Sequence, residues 1–455
     1  MDFFLLSYTK YNYGGIKYLS IVDMAVSILW VLIVLAILYA YKQKRSEPEY
    51  KRFIPFFLFK MFAVYFFAVM NSYLYGGADS AAFWHMSNAI TDLMFKNFPD
   101  FMHEMFVGQN GSFYKNGIHH PGWIYKESEG FFMAKITWVF SFISGKQYLL
   151  ASLYFSFLTF LAQWRLYRLL MKYFIKNKDS KFHILFLYMP SVAFWCSGIA
   201  KDTVVFFAIL NIVYFLTRWF FLKERKLKYA LGFLFYAWLI LHTREIILGI
   251  VIVSFVLTWI FTLANSLSQP FIRGLLRFTI SFIGLAVLAV GLYVFQLNQV
   301  LDGYLEEGQI IQQDFENNPL YTGKRYSLGM DAFTPLGMLL VSPMAIFAGI
   351  FRPGIWEALT STLLLNGIES TILLYLFFKR VVFKAGSFSL NLFNHKILLL
   401  CGIITLLYAF STGLTAVIFG VLVRLRAPLL LFFMVVIYWK DFVVAPEAEK
   451  DKTTY

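Results

Sequence analysis

The chain has 455 residues, of which 59% are hydrophobic, 20% aromatic and only 15% charged. So little charge over that length excludes an ordinary water-soluble fold. The net charge of +14 would suit nucleic acid in a soluble protein. Here Lys and Arg fall in short loops between apolar runs, where membrane orientation puts them, and no nucleic acid is expected as a partner.

Several apolar runs reach about 18 residues or more, enough to cross a hydrocarbon core ~30 Å thick. The fold class is therefore all-α and polytopic, one integral membrane domain over 1–455 with about 11 (11–13) transmembrane helices. Cys196 and Cys401 lie in apolar runs and read as small core residues, not a disulfide framework. The first apolar run, 18–41, is not followed by a small-residue cleavage site and reads as a retained helix.

The loop after it carries Lys42, Lys44, Arg45, Lys51 and Arg52, which places that loop in the cytoplasm and the N-terminus outside. A second helix, 53–75, returns to the outer face and delivers Asp79 there. Residues 76–147 form the first large extracytoplasmic loop with interfacial helices, of which 131–144 is a short apolar segment docked at the outer interface; the alternative is a true crossing, which inverts everything after it. Crossings then follow at 148–171, 182–197, from Lys201 to Lys223, up to His242-Thr243-Arg244-Glu245, at 246–264 and at 278–296. A second outer loop with a re-entrant segment spans 297–357. Within it 335–350 dips in and returns, or forms a tight hairpin, because both Arg352 with Glu357 and the preceding loop must stay outside. The segments 358–378, 397–412 and 428–439 complete the bundle, and a polar cytoplasmic tail occupies 441–455.

This orientation gives the inner loops plain Lys/Arg clusters. The outer ends carry mixed groups: Asp79, His85, Lys201, Asp202, His242, Arg244, Arg352, Glu357, Arg424 and Arg426. Basic residues outside run against the orientation bias and call for a reason. An anionic ligand supplies one, since the arginine fork grips phosphate bidentately. A carboxylate beside such cations can serve as a base toward an acceptor hydroxyl, while the cations stabilise charge on a departing phosphate. A sugar on a polyprenyl phosphate carries its own leaving group and needs no nucleotide.

The stretch Gly-Gly-Ala-Asp79-Ser-Ala-Ala-Phe-Trp-His85 after an early helix resembles the first outer loop of GT-C-type membrane glycosyltransferases. The resemblance implies a catalytic Asp79 and a polyprenyl-phosphate-linked sugar as donor. Pro190-Ser-Val-Ala-Phe-Trp-Cys-Ser-Gly-Ile-Ala-Lys-Asp202, Phe351-Arg352-Pro353 with Trp356-Glu357, and Arg424-Leu-Arg426-Ala-Pro428 look like segments of bacterial polysaccharide-assembly membrane proteins. Two departures stand out. Asp79 follows the second helix instead of the first, and Ser80 stands where many relatives have a second acid.

The resulting expectation is extracytoplasmic glycosyl transfer at an inner (plasma) membrane in cell-surface polysaccharide or glycoconjugate assembly. Asp79 is the base or acceptor-orienting group. Lys201, Arg244, Arg352 and Arg424 hold the lipid phosphate, with Asp202 and Glu357 orienting those cations and His85, His242 and Arg426 alongside. Membrane lipid is the other partner. No cofactor and no metal ligands are expected; His103, Glu104, His119 and His120 are the residues a divalent metal would use. The alternatives are a polysaccharide polymerase or O-antigen-ligase-like transferase, and a non-catalytic transporter or assembly subunit. Each group also has a plain structural reading. Asp79 is then a helix-terminus carboxylate, Lys201-Asp202 an ion pair within a turn, and Arg352 a side chain snorkelling to the interface.

Overall fold

The structure, a computed structural model, describes residues 20–73, 78–175, 181–265, 335–358 and 360–442, with isolated positions 310, 313, 325, 326 and 328 between them. The expected crossing at 278–296, most of the second loop, the Gly76-Gly77 turn and the tail beyond 442 lie outside the described residues. Among the described residues the chain is helical, joined by turns and two isolated bridges. Seven helices among the described residues are long and apolar enough to cross a membrane: Ile21–Gln43, Pro48–Ser72, Tyr148–Tyr173, Lys201–Phe221, Leu227–Leu263, Lys396–Thr415 and Phe419–Ile437. A multi-pass helical membrane protein follows from these spans. Both cysteines are free and buried.

The chain divides into two compact units, 1–170 with 187–248 and 171–186 with 249–455. In the first unit, polar groups fix the ends of the helices. Ser20 caps the helix Ile21–Gln43 through Asp23 N. The Asp23 side chain is itself buried and accepts from Leu149 N at 2.8 Å and Leu150 N at 3.3 Å, capping the neighbouring helix Tyr148–Tyr173 from outside. Beside it the hydroxyls of Ser80 and Tyr148 are 2.8 Å apart. At the other end Arg168 donates to the Tyr50 hydroxyl at 2.7 Å and to Glu47 at 3.0 Å. Tyr50, Phe53, Phe160 and Trp164 pack ring to ring above this pair. The helices Ile21–Gln43, Phe53–Tyr73 and Tyr148–Tyr173 therefore run in alternating directions. Their shared first end carries Ser80, and their second end carries the basic 42–52 turn.

The segment after the second span folds into five helices: Ala78–Lys96, Phe98–Phe106, Ser112–Lys115, Gly122–Lys126 and Ser128–Ile143. The first and last pack along each other, tied by Ser141 Oγ to Asn88 Oδ1 at 2.8 Å and by Lys146 to Asp92 at 2.6 Å. The 131–144 stretch thus belongs to a 16-residue helix, which is not among the seven spans. The expected helix 182–197 is two short pieces, Phe182–Tyr188 and Pro190–Trp195, separated at Met189 because Pro190 cannot continue the hydrogen-bond ladder. The expected turn at 242–245 is a break of one residue. A helix runs over Leu227–Asn265 and only Arg244 leaves helical backbone, at φ −160° and ψ 83°.

In the second unit two expectations are corrected. Residues 335–350 do not dip in and return; they belong to one continuous helix, Pro335–Phe351. Arg424 and Arg426 do not lie in a loop before the last span; they sit inside the helix Phe419–Ile437, which carries Pro428 within it. The helices Lys396–Thr415 and Phe419–Ile437 pack as a hairpin, with the Tyr408 hydroxyl donating to Leu425 O at 3.1 Å. At Gly349 and Gly413 the helices Pro335–Phe351 and Lys396–Thr415 touch backbone to backbone. A Cβ on Gly349 would collide with the carbonyl oxygen of Ala409, and one on Gly413 with that of Ala345.

Candidate functional site

In the first unit, Asp79 is half-exposed and stands in the first turn of the helix Ala78–Lys96, where the helix dipole favours a negative charge. His85, two turns further on, is buried beside Trp84, whose ring packs edge-on to Tyr148. Burial first, and then the nearby His119, push the His85 imidazole from its ordinary 6.5 down to about 4. It is neutral at pH 7.

Lys201 and Asp202 do not pair with each other. They begin a helix and point to different partners. Lys201 is held by Glu127 and by Glu129 at 3.0 Å, so one ammonium meets two carboxylates. Asp202 is almost fully buried and binds Arg244 at 3.2 Å. The one-residue break at Arg244 lies beside His242, whose ring packs against Phe132 and Trp238 with centroids 5.0 and 5.1 Å away. Phe132 and the two glutamates belong to the segment that Asp79 opens. Two helices thus bring Lys201 and Asp202, and His242 and Arg244, against the segment that holds Phe132, Glu127 and Glu129.

In the second unit, Arg352 follows the helix Pro335–Phe351. Its Nε and Nη2 donate to Glu357 Oε1 at 2.8 and 2.5 Å, and its guanidinium lies 4.6 Å over the Tyr326 ring and 5.2 Å over Phe419. Glu357 Oε2 accepts from Gly354 N at 2.9 Å, closing the turn. Arg426, expected beside the ligand, is instead fully buried. Its Nη1 donates to Ile350 O at 3.1 Å and Arg352 O at 2.6 Å, and its Nη2 to Ser370 Oγ at 2.7 Å. A guanidinium at the C-terminal carbonyls of a helix meets the negative end of its dipole. Arg426 therefore holds the main chain at the end of this helix and at Arg352. Arg424, two residues earlier, is half-exposed.

Within their own units Lys201, Arg244 and Arg352 each carry a carboxylate partner. An arginine so held keeps further N–H donors for a second anion, and its plane is fixed.

Among the described residues no group of three His, Cys, Asp or Glu could hold a metal ion. The residues weighed for one are engaged locally. Glu104 accepts from Ser112 N and the Tyr125 hydroxyl, His103 Nδ1 faces Gly108 O, and His120 Nδ1 faces Ile118 O.

One buried cation went unread in the sequence. Lys60 lies within a span with no exposed surface, and its Nζ donates to Cys196 O at 3.3 Å and lies 5.7 Å from the Phe206 ring. The acceptor carbonyl caps the short helix Pro190–Trp195 and opens the buried turn 196–200 that leads to Lys201.

No family model, curated protein or solved structure matches this chain.

The His85 environment has a consequence for pH. A histidine held at about 4 when folded and about 6.5 when unfolded binds its proton preferentially in the unfolded chain between those values. Stability is then fully present above pH 6.5 and falls as the pH drops toward 4, by up to about 3 kcal/mol. Unfolding midpoints in detergent at pH 7 and pH 4.5 should differ less for His85→Gln than for the wild type. An equal drop in both proteins would remove His85 as the cause.

Proposed function

We propose that this chain is an integral inner-membrane glycosyltransferase of GT-C-like architecture, acting on the extracytoplasmic face. It moves a sugar from a polyprenyl-phosphate or -diphosphate carrier to a glycan, lipid or protein acceptor of the cell surface. The observation that carries this reading is the polarity of the first helices: the basic 42–52 turn lies at one end and the Asp79 helix begins at the other. With the basic end in the cytoplasm, Asp79 and the segment that holds Lys201, Asp202 and Arg244 are extracytoplasmic. The N-terminus is outside, the C-terminus inside, and about eleven crossings complete the chain.

The acceptor hydroxyl gives its proton to the Asp79 carboxylate as its oxygen bonds the anomeric carbon. The bond from that carbon to the phosphate oxygen breaks on the opposite face, and the phosphate leaves with the electron pair. The anomeric configuration inverts. Arg244, oriented by Asp202, offers its remaining donors to the carrier phosphate, and Lys201 supplies further positive charge.

Asp79→Asn keeps the shape of the side chain and removes the base. In proteoliposomes supplied with a polyprenyl-phosphate sugar, transfer should fall at least about 100-fold, while expression and the thermal midpoint stay at wild-type values. Transfer at the wild-type rate would point instead to a polymerase or O-antigen-ligase-like enzyme relying on arginine and histidine.

A further inference from the structure

The helices Lys396–Thr415 and Phe419–Ile437 form a hairpin, so Lys396 and Ile437 lie at the same end of the second unit. The short helix Ala385–Asn394 lies there too, and none of its residues is buried. Trp439 fastens it in place. Its indole N–H donates to Arg380 O at 2.9 Å, and its ring meets Phe388 edge-on at 5.9 Å. The Arg380 guanidinium lies 4.2 Å from the Tyr438 ring.

Two features of this end are unlike a solvated protein surface. Phe383, just before this helix, is 78% exposed and Leu390, within it, 67%. Three cations also converge. The Lys440 ammonium is pushed below its ordinary range, first by the adjacent Lys384 amine and also by the positive charge of Arg380. The stretch 379–396 contains no Asp or Glu, and Asp441 is the acid that follows Lys440. Like charges crowded at a surface are stabilised by an anion. Beside the ends of membrane spans, with aromatic and aliphatic side chains exposed, the complementary anion is the phosphate of a lipid headgroup.

We propose that Arg380, Lys384 and Lys440 form a binding site for an anionic phospholipid, seating the helix Ala385–Asn394 flat in the adjoining leaflet with Phe383 and Leu390 in the acyl boundary. This site is independent of the glycosyl-transfer reading, and its test does not use that activity.

The full chain, purified in mixed micelles, is titrated with fluorescent phosphatidylglycerol and, separately, phosphatidylcholine. Lys384→Gln/Lys440→Gln should weaken apparent affinity for phosphatidylglycerol at least about fivefold, since each cation near an anionic surface contributes measurably. Binding of phosphatidylcholine should not change, and Lys384→Arg/Lys440→Arg should retain wild-type affinity. A control that removes two other exposed lysines, Lys172→Gln/Lys226→Gln, should stay within about twofold of the wild type. Wild-type affinity in the first variant overturns the site, as does an equal loss in the control, which would mark a general charge effect. Displacement of the lipid by millimolar inorganic phosphate overturns it too, in favour of a free-phosphate site. All four substituted lysines are exposed, and an unchanged thermal midpoint verifies that the variants fold.

Discussion

Arg426→Leu should lower the stability of the detergent-solubilised protein by on the order of 3–5 kcal/mol. The substitution leaves the carbonyls of Ile350 and Arg352 and the hydroxyl of Ser370 without the guanidinium that now joins them. None of these groups gains water in exchange, because the site is closed: Arg426 has no exposed surface. Leucine is also smaller than arginine, so a void adds to the loss. Arg426→Lys should recover only part of it, since one ammonium on a flexible stem does not reproduce a planar fork reaching three acceptors. The measurement is a thermal midpoint followed by tryptophan fluorescence or by loss of monodisperse protein after heating. A midpoint for Arg426→Leu equal to the wild type would return Arg426 to the ligand-contacting role that the sequence suggested.

Lys60→Met should have the opposite profile, with stability held and function lost. The Lys60 ammonium is as buried as the Arg426 guanidinium. Its described contacts are thinner, however: one carbonyl at 3.3 Å and one ring face. The carbonyl it meets, that of Cys196, also accepts from the Thr159 hydroxyl at 3.3 Å, so removing Lys60 does not strand it. A charge within a span is costly to insert, and replacing a weakly held buried charge by an apolar residue of similar length is often neutral or stabilising. The thermal midpoint of Lys60→Met should therefore equal or exceed the wild type. Lys60 is one of two donors to the carbonyl that opens the turn to Lys201, so if the proposed glycosyl transfer is the activity, its rate should fall at least about tenfold in Lys60→Met. A collapse of stability instead would make Lys60 a strut of the same kind as Arg426.

These two residues also mark where sequence reading stopped. Apolar runs gave the helical membrane class and the positions of several spans, because length and hydropathy are local properties. Asp79 was recognisable because a carboxylate stood directly after such a run. The partners were not recognisable. Lys60 and Cys196 are 136 residues apart and Arg426 and Ile350 are 76 apart, and no spacing rule links them. Lys201 and Asp202 are adjacent in sequence, which suggested a mutual pair. A helix start sends adjacent side chains in different directions, and each found an acid or base on another segment. Around Arg244 the hydropathy pattern showed where the helix is interrupted. That only one residue would leave the helical backbone depends on packing. The 335–350 reversal was inferred from charge accounting along the chain, which cannot distinguish a hairpin from one short straight helix.

The glycine contact between Pro335–Phe351 and Lys396–Thr415 bears on how the second unit can move. Where side chains interdigitate, helices have rotamers with which to absorb a small slip. At Gly349 and Gly413 backbone rests on backbone, and there is no such slack. The two rods are indexed to each other and translate only as a piece. Arg352 follows the first of them directly, so its place along the membrane normal is set by main-chain atoms of a helix remote in sequence. Any displacement of Arg352 must carry the pair of helices with it or unwind the turn at Pro353 and Gly354.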